Sequence, residues 1–128
     1  MPEKEAALAA MRRVIDAVNS GENTLVLNGL SESVVIVDDV APYQWRGRAE
    51  AEQWLRRLAS TRSKLNAQLS IEAADVQAEG GRAYVVAPGV LRAQVHQADV
   101  DVNGLLTLVL DGSEGDWLVD SLIWSVKR

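Results

Sequence analysis

The sequence predicts one α+β domain in which helices come first and a bent antiparallel sheet follows. Three observations carry that expectation. Apolar residues recur at helical spacing in two stretches before residue 60; from Leu65 onward they alternate at period two between turn-forming clusters. The third is size: 128 residues with 48% apolar content suffice for one packed core and are too few for two ordinary domains, so residues 1–128 are read as a single unit.

Leu8, Met11, Ile15 and Val18 define a first helix over Glu3 to Asn19, and the "NSGEN" run supplies the glycine and asparagine that end it. "TLVLNGL" fits a short helix or an extended segment, with the helix preferred. Ser33 to Val37 reads as a strand with apolar residues on both faces, hence covered on both sides. After Gly47, the stripe Ala51, Trp54, Leu55 and Leu58 predicts a half-buried helix ending near Ser60. Leu65, Ala67, Leu69, Ile71 and Ala73 alternate with polar residues and predict one long strand. "EGG" (Glu79 to Gly81) is a hairpin turn, and three further strands follow over Ala83 to Val95, Gly104 to Leu110 and Trp117 to Val126. Pro88 cannot donate to a ladder, so "APG" implies a bulge or sharp bend in the first of these.

Composition excludes several functions. Thirteen basic and eighteen acidic residues give a net charge of −5, which repels a phosphate backbone and offers no cationic stripe to a membrane. Neither nucleic acid nor membrane is an expected partner. With no cysteine and one histidine, His96, the chain lacks the usual ligands of a transition-metal site, and neither metal nor cofactor is expected. The charged start "MPEKEAALAA" and the short apolar runs lead to an expectation of a soluble, cytoplasmic protein.

The element order, together with "VDDVAPYQWRGRAEAEQW", "RAYVVAP" and "WLVDSLIWS", resembles the NTF2-like superfamily, and within it the SnoaL-like and ketosteroid-isomerase-like small bacterial proteins. The resemblance covers nearly the whole chain and is most specific from Asp38 to Gly47. It implies the NTF2-like (cystatin-like) cone, a curved antiparallel sheet wrapped around N-terminal helices with a mostly apolar pocket at the open end. It also implies a small-molecule site, with acid–base isomerase, cyclase or dehydratase chemistry on an apolar, ring-containing metabolite as one possibility. The other is a non-catalytic ligand-binding or dimerisation module. Fold alone does not choose between them.

The ketosteroid isomerases place their general-base aspartate nine residues before the glycine that opens the next helix, as Asp38 stands before Gly47. Their oxyanion tyrosine falls on Val14, which has no proton to donate, and their second donor falls near Asn103 or Gly104, where at best an amide replaces it. SnoaL-type cyclases use an aspartate in the last strand, for which Asp120 is the nearest candidate. No partners for an epoxide-hydrolase-type Asp-Arg-Asp relay stand out.

Alternation separates the two adjacent acids. Asp38 continues the face of Val34 and Ile36, Asp39 that of Val35 and Val37, so one of them can face a pocket while the other cannot. Asp38 is the candidate base; the alternative is that both acids cap the strand end and hydrogen-bond the following turn. Tyr43 and Trp45 share one face of a short extended segment and, with Trp54, could form an aromatic wall. With no phenylalanine in the chain, tryptophans must also fill the core. Trp117 and Trp124 differ by an odd number and face opposite ways unless a bulge intervenes; Trp124 is the pocket candidate of the two. His96 reads as a hairpin-end residue. The arginines at 46, 48, 56, 57 and 62 could hold a carboxylate ligand or form a solvated helix face. Finally, a sheet with one face on helices leaves the other to be covered, so a homodimer is expected, with Leu69, Ile71 and Val85 as its apolar area.

Overall fold

The computed structural model describes residues 2–127. Helix α1 (Glu3–Ser20) ends in a Schellman-type cap. Gly21, at φ 76°, donates its N–H to Val18 O, and Glu22 donates to Ala17 O at 2.9 Å. The short helix α2 (Asn23–Asn28) follows, then strands β1 (Leu30–Val37) and β2 (Gln44–Arg46). Helix α3 (Gly47–Leu65) leads to β3 (Gln68–Ile71), β4 (Asp75–Glu79), β5 (Arg82–Val95), β6 (Ala98–Asp111) and β7 (Leu118–Val126). No helix among the described residues is long and apolar enough to cross a membrane.

Several boundaries differ from the sequence expectation: β1 begins at Leu30 rather than Ser33, and β6 at Ala98 rather than Gly104. Helix α3 runs five residues beyond Ser60, because Leu58, Arg62 and Leu65 continue the helical stripe and Asn66 supplies the left-handed cap at φ 50°. Leu65 therefore belongs to the helix. The long strand expected over Leu65 to Ala73 is reduced to β3, and an unexpected β4 follows it, both paired antiparallel to β5. β5 stays in unbroken register with β6 through Pro88, so "APG" is no bulge on that side. The discontinuity lies on the opposite edge, where β4 pairing stops at Val86 and β3 pairing starts at Gly89. Pro88 faces that junction with its carbonyl, which accepts Glu72 N–H at 2.9 Å, so its missing N–H interrupts no ladder bond.

The strands form one curved, unclosed sheet in the order β2-β1-β7-β6-β5-β3, with β4 also on β5. The sheet is mixed rather than wholly antiparallel, since β1 runs parallel to β7. Its inner face presents Val34, Ile36, Ala83, Val85, Leu106, Leu108, Leu110 and Val119 to Met11, Val14, Ile15 and Leu55 of the helices, all at most 6% exposed. Burial on this scale, about 1.5–3 kcal/mol for each large aliphatic side chain, drives the layer together.

The apolar area named for a dimer does not lie where the sequence placed it. Val85 is fully buried on the inner face, and Leu69 and Ile71 pack partly buried against the core. The outer face carries Tyr84, Val86 and Leu105 instead, each 41% exposed or more. Alternation is the reason: β5 residues of odd number point inward and even ones outward.

Candidate functional site

The C-terminal end of α1, the middle of α3 and the inner face of the sheet enclose a cavity of about 120 Å³. Ile15, Val18 and Asn19 come from α1, and Trp54, Leu58, Thr61 and Arg62 from α3. Ala67, Leu69, Leu91, Leu106, Leu122 and Trp124 complete the apolar wall, and Asp38 stands at the end of β1. A cavity of about 150 Å³ holds benzene; this one is smaller but open on one side, so a single ring is the upper limit of what it seats. A second depression of about 450 Å³ lies between α1, α2 and Asp116–Leu118. Its walls carry Arg13, Asp16, Glu22 and Asp116, so it lacks the apolar enclosure that desolvates a ligand.

The site is built around one carboxylate. Asp38 Oδ2 accepts the indole N–H of Trp54 at 3.0 Å, and Oδ1 accepts the Asp39 backbone N–H at 2.7 Å. The Asp38 backbone N–H in turn donates to Tyr43 O at 3.0 Å, closing the loop that follows β1. An ionised carboxylate has about four acceptor sites, and these bonds use two. Two acceptor sites remain, on a half-buried side chain that is among those lining a largely apolar cavity.

Two other polar groups of the cavity, Asn19 and Arg62, make structural bonds. Asn19 bonds both ways with the backbone of Leu69, donating from Nδ2 to its carbonyl at 2.8 Å and accepting its N–H at 2.9 Å. That pair sews the end of α1 to β3. Arg62 Nη1 donates to Val18 O at 2.7 Å, so a side chain of α3 caps a carbonyl at the C-terminus of α1. Arg48 likewise donates to Leu30 O, Arg57 to Ala41 O, and Arg56 pairs with Glu52. Arg48 and Arg57 thus tie α3 to strand and loop, Arg56 pairs within α3, and only Arg62 of the group lines the cavity.

Trp124 owes its place in the wall to two glycines. Gly89 and Gly104 are ladder partners, and a Cβ on Gly104 would lie 2.6 Å from the Trp124 ring. The absence of side chains there leaves the space that the indole fills.

Of the expected site residues, Asp38, Trp54 and Trp124 line the cavity together, and Asp39 is exposed. Four others lie elsewhere. Tyr43 is 54% exposed: its φ of 74° breaks the alternation that would have aligned it with Trp45. Trp45 pairs with Ile36 and is buried in the core at 3% exposure, away from the cavity wall. Asn103 is an exposed residue of β6 whose carbonyl accepts the Lys127 N–H. Asp120 sits at a bulge where β7 slips against β6, between the Val109↔Ser121 and Leu110↔Val119 pairs. The slip turns Asp120 to the outer face, where it accepts from Arg82 at 2.9 Å, while Leu122 and Trp124 face inward. The same bulge lets Trp117 and Trp124 both pack toward the core. His96, as expected, is an exposed hairpin-end residue.

The sequence does not single out Asn19, Thr61 or Leu91, and it offers Arg62 only as one of five arginines that could hold a carboxylate. The i, i+4 spacing of Leu58 and Arg62 would have placed Arg62 on the Trp54 side of α3 had the helix been drawn to Leu65; nothing local marks Leu91 or Asn19.

On the outer face, Arg82 also contacts Asp111 at 3.3 Å. Its guanidinium is held above the usual arginine range by a hydrogen bond with Tyr84 and by the charge of Asp120. The Asp111 carboxyl is held below the usual carboxylate range, chiefly by hydrogen bonds from the side chain and backbone N–H of Ser113 and further by Arg82.

No protein-family model matches the sequence, and no curated protein matches it. Solved structures do. An NTF2-like protein with a cystatin-like fold from Novosphingobium aromaticivorans aligns over 97% of this chain and 82% of its own, with a TM-score of 0.82 at 13% identity. A ketosteroid isomerase-like protein from Erwinia carotovora atroseptica aligns over 98% and 97%, with a TM-score of 0.80 at 15% identity. The S. rosetta CaMKII hub aligns over 99% and 98%, with a TM-score of 0.85 at 17% identity. The chain thus has the NTF2-like, cystatin-like fold, helices followed by a curved sheet that together form a cone.

Proposed function

We propose that the chain binds a small, mostly apolar, ring-containing metabolite in the cavity between α1, α3 and the sheet, and that Asp38 accepts the ligand's hydrogen-bond donor. The observation that supports this reading is a carboxylate with spare acceptor capacity, fixed by the Trp54 indole N–H, in a cavity otherwise walled mainly by aliphatic and indole side chains. So placed, Asp38 is also a base for a carbon-bound or hydroxyl proton. Binding is the better supported half. By the isomerase resemblance the oxyanion donors fall on Val14, buried outside the cavity wall, and near Asn103, exposed on β6, or Gly104, which has no side chain.

Phenol, one ring with one hydroxyl donor, is a suitable probe. In an NMR titration Asp38→Asn should weaken phenol binding about tenfold, the loss of one hydrogen bond to a charged acceptor. Asp39→Asn should leave it unchanged. Equal affinity in the native protein and Asp38→Asn would remove Asp38 from the role.

A second reading concerns self-association and is favoured by the exposed Tyr84, Val86 and Leu105 on the outer face of the sheet. A second copy of the chain would cover them, giving a homodimer whose cavities remain open. Sedimentation equilibrium should give twice the chain mass for the native protein and one chain mass for Tyr84→Asp/Val86→Asp. A native mass of one chain at micromolar concentration would overturn it.

A further inference from the structure

β5 and β6 pair without interruption from Arg82↔Asp111 to Val95↔Ala98, but their flanking strands stop early. β3 pairing ends at Gln68↔Arg92 and β7 pairing at Gly104↔Val126. Beyond those limits the two strands form a ribbon with no third strand on either edge among the described residues, closed by a two-residue turn in which His96 and Gln97 both have positive φ. Ladder partners share a face, so the ribbon has two unlike sides. Arg92 with Asp101, 3.7 Å apart, and Gln94 with Asp99, 3.3 Å apart, occupy the polar side and are tied to one another across it. Ala93 with Val100, and Val95 with Ala98, occupy the other. That side is apolar and uncovered, with Val95 37% and Val100 38% exposed. Alternation puts it on the same side as Leu91 and Leu106, which line the cavity.

We infer that the ribbon is the outer half of the ligand site, and that the ligand is an elongated amphipathic molecule with a donor group at one end and a hydrocarbon tail at the other. The inference rests on the binding role proposed for the cavity and specifies what enters it. Size supports a tail. The cavity of about 120 Å³ accommodates one ring or a chain of comparable bulk, whereas Leu91 to Val95 extends the apolar surface by a further ~14 Å at the strand rise of about 3.4 Å per residue. Two strands about 4.8 Å apart make that strip ~10 Å wide, or ~140 Å². A stable protein interface needs about 800 Å² from each partner, so the strip fits a tail and not a second chain.

The experiment is calorimetry with a series of linear primary alcohols, hexan-1-ol, octan-1-ol and decan-1-ol, on the native protein and on Val95→Thr/Val100→Thr. The threonines keep the valine shape and strand preference while adding hydroxyls to the strip. Native affinity should rise past hexan-1-ol by about twofold per methylene, half the roughly fourfold gain of full burial, because the tail is covered on one side. The double variant should bind hexan-1-ol as the native protein does and decan-1-ol about fivefold more weakly. Decan-1-ol binding no tighter than hexan-1-ol in the native protein, or an unchanged series in the double variant, would overturn the inference while leaving the cavity reading intact. No binding of any alcohol by a native protein that binds phenol would overturn the inference alone; no binding of either phenol or the alcohols would defeat both. A native dimer that becomes monomeric only in the double variant would assign the strip to a second copy and overturn it as well.

Discussion

The bond between Asp38 and Trp54 can be measured directly, because each partner can be removed alone and together. Trp54→Phe deletes the N–H that reaches Asp38 Oδ2 at 3.0 Å and leaves a smaller ring at a position 4% exposed. Asp38→Ala deletes the acceptor, together with the bond from the Asp39 N–H. Packing loss from the smaller ring, about 1–2 kcal/mol, and loss of the Asp39 bond, about 1 kcal/mol, appear in both arms of a double-mutant cycle and cancel. What remains is the coupling. A hydrogen bond to a charged group contributes about 1.5–3 kcal/mol, and the half-buried position of Asp38 favours the lower end, about 1.5 kcal/mol. Trp54→Phe alone should therefore cost about 3 kcal/mol, or roughly 10 °C in Tm for a domain of this size. Urea unfolding of the four proteins at constant m supplies the numbers. A coupling within about 0.5 kcal/mol of zero, the error of additivity, would mean that the indole does not hold the carboxylate. The positioned acceptor on which the binding proposal rests would then be lost.

Two further outcomes follow from the surroundings. Asp111 has its carboxyl held below the ordinary range in the folded protein, so its contribution to stability is fully present above the unfolded value of about 4 and is lost as pH falls through the lower folded value. The gap in urea midpoint between native protein and Asp111→Asn should be constant from pH 7 to about 5 and close toward pH 2; a gap that widens in acid would reverse the sign. Gly104→Ala would set a Cβ 2.6 Å from both the Trp124 ring and Ser125 O, so the indole must move. Overpacking of this kind costs about 1–3 kcal/mol, and phenol binding should fall with it; a variant with native midpoint and native phenol affinity would show that the glycine pair does not set the wall.

Periodicity revealed the helices and the run of strands that follows them, though not that β7 lies parallel beside β1, and alternation along β1 was enough to separate Asp38 at the cavity from the exposed Asp39. Its failures have local causes. Asp120 is turned outward by one extra residue in β7, and no pattern in "WLVDSLIWS" announces a bulge whose partner strand lies elsewhere in the chain. Tyr43 is turned outward by a single positive φ, a conformation that the residue type disfavours and that the sequence therefore does not advertise. Leu65 sits where a helical stripe and a period-two run overlap, and the cap at Asn66 decides between them. Asn19 and Arg62 reach the site through bonds to backbone atoms some fifty and forty-four residues away, which side-chain patterning cannot encode.

The parallel pairing of β1 with β7 bears on the order in which the protein can be made. β7 lies between β1 and β6, so the sheet stays in two pieces until residues 118–126 have been synthesised. Until then the nascent chain holds β1, with Val34 and Ile36 on it, as an edge that lacks its main neighbour, and β6 as a second open edge. Contacts between strands some ninety residues apart form slowly, and unpaired apolar edges are the ones that associate wrongly. β7 emerges when both edges need it, which makes its arrival the step at which this chain depends most on shielding from its neighbours.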